Sequence, residues 1–184
     1  LYSFEKLKQE AGVLSFDKGG YYICRTDTSF TFIRCGSHKD RPSHSDNLHI
    51  DLWVNGKNIL RDSGTYKYNT DEDIVNYFTG TMGHNTGLVD EKSQMLKGSR
   101  FIWLYWTQCV TAKWVEDNEY YLFNGSISAF RYLNKKAIHN RIVKISKQEN
   151  HLIVKDEVQN LDSFSKKQMW HFDDAKIKFS SPNN

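Results

Sequence analysis

Apolar residues along this 184-residue chain mostly alternate with polar ones, or gather into short runs of aromatic and β-branched residues. The runs are "YYICRT" (21–26), "SFTFIRC" (29–35), "LHIDLWV" (48–54), "RFIWLYW" (100–106), "YYLFNGSI" (120–127), "HNRIVKIS" (139–146), "HLIVKDEV" (151–158) and "KKQMWHF" (166–172). An extended backbone turns successive side chains to opposite faces, so each run predicts a strand. Asp27-Thr28, Asn55-Gly56 and Gln148-Glu149-Asn150 fall between pairs of runs and predict hairpin turns. Asn-Gly is the strongest of these signals, because both residues accept the positive φ of a tight hairpin turn. No convincing amphipathic helix is predicted beyond a short one over residues 3–10. Many short strands without intervening helices predict an all-β fold, an antiparallel β-sandwich, as a single domain over residues 1–184. Residues 67–83 form the longest segment without a strand pattern, and long loops on such a scaffold often carry a binding edge.

Composition narrows the choice of partner. Lys and Arg total 25 against 22 Asp and Glu. The small excess is spread along the chain rather than gathered into an arm, which argues against nucleic acid. No run approaches the roughly 18 to 20 apolar residues of a membrane span. Aromatic residues at 14% and only two prolines, Pro42 and Pro182, predict a well-packed chain rather than a disordered one. Cys24, Cys35 and Cys109 lack metal-ligand spacing and read as buried free thiols, with a disulfide between Cys24 and Cys35 on neighbouring strands as the alternative. The opening "LYSFEKL", without an initiator Met, is expected of a piece of a longer chain.

The chemistry concentrates in "RPSHSDNLHIDLWVNGKNILRDSGTY", residues 41–66, which holds two histidines and three aspartates around a hairpin. Alternation places Leu48, Ile50, Leu52 and Val54 on one face and His49, Asp51 and Trp53 on the other. A two-residue turn at Asn55-Gly56 pairs Val54 with Lys57, and the same register sets His49 opposite Asp62. His44 and Asp46 precede the regular strand, and Pro42 restricts the backbone there, so alternation does not fix their directions. His84 follows in "MGHNTGLVD". Imidazole and carboxylate together suit Zn²⁺, which takes N and O ligands at about 2.0 to 2.2 Å. The plainer alternative is a set of surface or hydrogen-bonded histidines, with Asp62 serving a turn.

These residues resemble the heparinase II/III-like polysaccharide lyases. The resemblance runs in order through "RPSHSDNLHIDLWVNGKNILRDSGTYKYN", "TMGHNTGLVDEKSQM" and "RFIWLYW", and more loosely through "HNRIVKI", "LIVKDEV" and "QMWHF". It implies the C-terminal β-sandwich of a longer chain whose N-terminal part is a toroid of paired α-helices, with the active site in the cleft between them. It implies a metal ion, most simply zinc, on His44, Asp62 and His84. His49 then stands as an alternate ligand or a group that orients the site. Several family members have a second His two residues before the metal-binding one, and this chain has Pro42 there.

The implied reaction is β-elimination on an acidic, uronic-acid-containing polysaccharide. A base takes the C5 proton, an acid protonates the departing O4, and the carboxylate charge must be neutralised. The family draws a Tyr, an Asn or Glu and a His for these roles from the toroid. Within this chain Tyr66, Tyr68 and Tyr77 are candidates near the cleft, with Tyr77 preferred as proton donor. Arg41, or Arg61, could pair with a substrate carboxylate, and Asn47 and Asn85 could bond a sugar hydroxyl. An exposed Trp among Trp53, Trp103 and Trp106 would suggest sugar stacking. His139 and His171 read as structural. A bacterial, periplasmic or secreted setting follows from the resemblance. Two other readings stand beside it. One is a non-catalytic carbohydrate-binding sandwich with structural histidines. The other is a stand-alone metal-dependent enzyme of the cupin sort, against which the lack of an H-x-H pair counts.

Overall fold

The computed structural model describes residues 10–67 and 69–173. All but the last residue of the short helix expected at 3–10 falls outside them, as does Tyr68. Five antiparallel strands come first: β1 (Gly12–Phe16), β2 (Tyr21–Arg25), β3 (Ser29–Arg34), β4 (Ile50–Val54) and β5 (Lys57–Leu60), neighbours in that order. Helix α1 (Glu72–Thr79), a 3-10 turn (Thr81–Gly83) and the short strands β6 (Gly87–Val89), β7 (Leu96–Lys97) and β8 (Trp103–Leu104) follow. The second sheet is built from β9 (Gln108–Glu116), β10 (Tyr120–Ser128), β11 (Ile138–Ser146) and β12 (Leu152–Gln159), in the order β12-β11-β10-β9. The last strand, β13 (Lys166–Gln168), pairs with β6.

The two sheets enclose one apolar core, as the alternation predicts. Tyr22, Cys24, Ile33 and Ile50 of the first sheet pack with Phe123, Ile127, Val143 and Ile145 of the second. The Tyr22 and Phe123 rings lie 5.0 Å apart. Burying one large apolar side chain of this kind contributes about 1.5 to 3 kcal/mol, so the sandwich holds chiefly through this layer. The Asn55-Gly56 turn forms as expected, with φ of 49° and 77° and Val54 opposite Lys57.

Three expectations change. A bulge between Leu52 and Trp53 moves the pairing to Leu52 with Leu60, so the simple register that set His49 across from Asp62 is broken, and β5 ends before Asp62. Residues 67–83 are not loop throughout. Ile74, Val75 and Phe78 share a helical face, and Glu72 and Asp73 sit in the first turn where the helix dipole favours acids, so the signal for α1 was present. In "RFIWLYW" only Trp103 and Leu104 are strand. Trp103 is buried, whereas Phe101, Ile102, Leu104 and Tyr105 are exposed. A disulfide between Cys24 and Cys35 is also excluded. Cys24 pairs across β2–β3 with Thr31, four residues from Cys35, which is roughly 13 Å along a strand.

Candidate functional site

Four segment ends bring the histidines and the aspartate together. His44 lies in the connection between β3 and β4, His49 directly before β4, Asp62 just past β5, and His84 just past the 3-10 turn. The carriers are stitched to one another. Ser45 N–H donates to the Thr79 carbonyl (2.8 Å), and the Thr81 hydroxyl donates back to the Ser45 carbonyl (2.8 Å). Asp62 is aimed by its own turn, because its Oδ1 accepts the Gly64 N–H at 2.6 Å, where Gly64 has φ +81°.

Partners fix the ring tautomers. His84 Nδ1 faces the Gly80 carbonyl at 2.7 Å, and a carbonyl only accepts, so Nδ1 carries the proton and Nε2 of the neutral ring presents a lone pair. That lone pair lies 3.2 Å from His44 Nδ1 and 3.3 Å from Asp62 Oδ2, with the His84 side chain fully buried. His49 is the reverse case. Its Nδ1 accepts the Asn85 backbone N–H at 3.0 Å, so the neutral ring carries its proton on Nε2. This Nε2 is buried, has no hydrogen-bond partner, and sits 4.0 Å from Asp62 Oδ2. His49 thus turns an unpartnered Nε2–H toward the side of the Asp62 carboxylate, and His84 turns a lone pair toward it. Both histidines of the hairpin segment, His44 and His49, lie beside His84.

Ligands at about 2.0 to 2.2 Å around a tetrahedral ion stand about 3.3 to 3.6 Å from each other, close to the 3.2 and 3.3 Å contacts of His84 Nε2. The donor set of two imidazoles and a carboxylate suits zinc. Among the described residues no three such side chains are already closed around one point. The contacts all pass through His84, and closure asks the half-exposed Asp62 side chain to rotate. Burial, and then the neighbouring His84, hold His44 and His171 below the ordinary imidazole range, and the same causes hold His49 well below it. Neutral imidazole is the form that binds metal.

Beside His44 opens a cavity of about 430 Å³, lined by Arg41, Lys67, Thr79 and Phe101 among others. Two cationic side chains at its wall suit an anion. Val75 and Thr79 of α1 also line it, and Tyr77, turned by roughly 200° on the helix from Val75, does not. Tyr77 instead points to His171, its hydroxyl 3.0 Å from Nε2. The Tyr77 hydroxyl, suggested as a proton donor at the cleft, is thus engaged by His171 and lies outside this cavity. Asn47 and Asn85 also depart from expectation. Asn47 is fully buried, its amide spent on Gly36 and Thr107. Asn85 is fully buried as well, donating to the carbonyls of Ile50 and Arg61 and accepting from the His171 N–H. Both hold loops in place and have nothing left for a sugar hydroxyl. Arg61 is paired with Asp173 at 3.2 Å. Tyr66 is exposed and stacks on Phe78. Trp103 is buried, and Trp53 is exposed on the hairpin strand β4.

His171, read as structural, bridges Tyr77 and Asn85 beside the histidine group. One contributor escaped the sequence reading: Arg141, wholly buried, whose Nη1 donates to the carbonyls of Leu48 and Asn85 at 2.6 Å each. These carbonyls adjoin His49 and His84, so one guanidinium anchors both histidine carriers. A signal existed: alternation puts Arg141 on the same face of β11 as Val143 and Ile145, an unusual place for a charge.

Comparison with known proteins identifies the fold. The profile of the family described as heparinase II/III-like, C-terminal, matches residues 8–183. A heparin-sulfate lyase of Bacteroides stercoris is 31% identical over 85 residues, covering 42% of this chain and 13% of the lyase. Among solved structures, a heparinase III gene product superposes with a TM-score of 0.62 at 21% identity, over 82% of this chain and 22% of its own. The heparan sulfate lyase HepC of Pedobacter heparinus gives 0.61 at 19% identity, over 79% and 22%. This chain thus spans about a fifth of the length of those structures. The match over nearly all of its residues establishes that the chain belongs to the heparinase II/III-like family, in its C-terminal β-sandwich.

Proposed function

We propose that this chain is the metal-binding β-sandwich of a polysaccharide lyase that cleaves an acidic, uronic-acid-containing polysaccharide by β-elimination. The observation that carries the metal assignment is the contact of His84 Nε2 with Asp62 Oδ2 at 3.3 Å. The Nε2 lone pair of a neutral His84 faces a carboxylate oxygen there, an arrangement that a cation between the two would stabilise. His44, Asp62 and His84 would hold a divalent ion, most simply zinc, and His49 would direct its Nε2–H toward Asp62. When bound, such an ion supplies a fixed positive charge at the edge of the cleft.

The cavity beside His44 forms one wall of that cleft. Arg41 and Lys67 there would take the uronate carboxylate, and neutralising that charge is what makes the C5 proton removable. The groups that take the C5 proton and protonate O4 are assigned to an α-helical toroid of the whole protein, and a bacterial periplasmic or secreted setting accords with an extracellular polysaccharide as substrate. The test is thermal. Zinc added to metal-free protein at about one hundred times its dissociation constant should raise the melting temperature by about 5 to 11 °C, and His84→Ala should remove the response. An unchanged response in the variant would remove His84 from the site. Glycan binding that survives chelation would favour instead a carbohydrate-binding sandwich with structural histidines.

A further inference from the structure

The cysteines lie outside the histidine site, and two of them touch. Cys35 follows β3 in the first sheet, and Cys109 lies in β9 of the second. Their sulfurs are 3.8 Å apart across 74 positions of sequence. Cys35 is buried and Cys109 is partly exposed. The backbones on either side are already clamped. Cys35 N–H donates to the Gly20 carbonyl at 2.8 Å, Cys109 N–H to Ser37 Oγ at 3.1 Å, and Gln108 Nε2 to the His38 carbonyl at 3.2 Å. The connection after β3 and strand β9 are thus held side by side with a thiol from each directed at the other, and bonding the sulfurs asks a side-chain rotation to bring them to about 2.05 Å.

We propose that Cys35 and Cys109 form a disulfide that clips the two sheets together, made by exchange with a small-molecule or protein disulfide. Cys109 is the entry point on two grounds. It is the sulfur that solvent reaches, and the hydrogen bond from Cys35 lowers its pKa to about 7. The Cys109 thiolate attacks one sulfur of the incoming disulfide, forms a mixed disulfide and expels one thiolate. Cys35 held its proton because of its bond to Cys109 and its burial, and both weaken once Cys109 is capped. Cys35 then loses its proton to the departing thiolate, attacks the Cys109 sulfur and expels the second thiol. Two protein thiols are oxidised and one external disulfide is reduced to two thiols, so electrons and protons balance. Cys24, in the core strand β2, takes no part. Neither the metal site nor the lyase reading enters this proposal.

The test uses the intact protein equilibrated with oxidised glutathione, then digested with trypsin without reduction. Mass spectrometry should find the peptide of residues 35–39 joined to that of residues 101–113, with Cys24 free in residues 19–25. Closing so long a loop should place the melting temperature of the oxidised protein about 5 to 12 °C above that of the reduced one. Cys109→Ser should abolish both the link and the shift, and Cys24→Ser should keep both. Cys109 recovered only as its glutathione adduct, both thiols recovered free, or a link that includes Cys24 would each overturn the proposal.

Discussion

Two clusters of imidazole and carboxylate lie in this sandwich, and they are built on opposite plans. In the rear cluster, on β11 and β12, Asp156 Oδ1 accepts His139 Nε2–H (2.9 Å) and Arg141 Nε–H (2.7 Å), while Oδ2 accepts Arg141 Nη2–H (2.5 Å) and Gln168 Nε2–H (2.7 Å). Only His139 Nδ1 is left without a partner. In the front cluster three imidazoles face one half-exposed carboxylate, and the buried Nε2 of His49 has no partner. The rear group pairs its carboxylate with a guanidinium and fills every hydrogen bond of Asp156, which is what a buried charge needs to be structural. Among the described residues, the front carboxylate has no such cation beside it and accepts no hydrogen bond from the imidazole of His49. The front cluster is thus the one with room for a cation, as the proposed metal site requires. The clusters are also linked, because Arg141 reaches from the rear to the carbonyls beside His49 and His84.

Breaking the rear cluster should have the largest effect. Asp156→Ala strands the Arg141 guanidinium, fully buried, without its counter-ion, and removing one partner of such a pair typically costs about 3 to 5 kcal/mol. Chemical denaturation of metal-free protein would measure it. The same variant should loosen Leu48, a non-glycine residue at φ 63° whose carbonyl Arg141 holds, and so weaken the front site as well. A loss under about 1 kcal/mol would mean that the rear cluster is not the support described here.

How much of this contrast the sequence disclosed follows from which forces act locally. Strand alternation and the Asn55-Gly56 turn are local, so β2, β3, β10, β11 and β12 fall within a residue or two of their predicted runs. The bulge at Leu52 and the left-handed Leu48 are set by neighbours far along the chain, and no short pattern announces them. The front residues His44, Asp62 and His84 came from a resemblance to a known family, and their chemistry from residue type. The sugar contacts suggested for Asn47 and Asn85 failed because burial and partner choice are tertiary facts, and it is likewise tertiary structure that turns the Tyr77 hydroxyl to His171. Arg141 and Asp156 were the missed opportunity. Both lie on strands recognised from the sequence, and antiparallel pairing sets them directly opposite.

A smaller effect sharpens the contrast within the front cluster. In the proposed site His49 directs its Nε2–H toward Asp62, so its loss should weaken metal binding in addition to stripping the buried Asn85 N–H of its acceptor. His49→Ala should weaken zinc binding by about 10- to 100-fold, as removal of an outer hydrogen-bond donor does at other metal sites. His49→Gln, whose amide N–H can stand where Nε2–H does, should recover most of that loss. Calorimetric titration of zinc into the metal-free variants would show it. Equal weakening in both variants would point to packing rather than to an Nε2–H directed at Asp62.

The smallest expected effect separates the clusters by pH. Asp156 is pushed up by burial, but Arg141 and His139 outweigh this and hold it far below the usual carboxylate range. A depressed carboxylate contributes stability that is full above its unfolded pKa of about 3.9 and is lost only in stronger acid. The contribution of Asp156 is therefore nearly constant between pH 7 and 5. His49 is held well below 6.5 by burial and by His84. In the unfolded chain it takes up a proton as the pH falls through about 6.5, while in the fold it stays neutral. The unfolded state then binds more protons, and stability falls with falling pH. For one fully resistant histidine the loss between pH 7 and pH 6 is at most about 0.7 kcal/mol. His44 and His171, shifted the same way but partly exposed, add a fraction of that each. Urea denaturation of chelator-treated protein at the two pH values measures the sum, and His49→Gln should remove the largest share. If the variant keeps the full slope, the proton is being taken up elsewhere and the front cluster is not the part of the sandwich that resists charge.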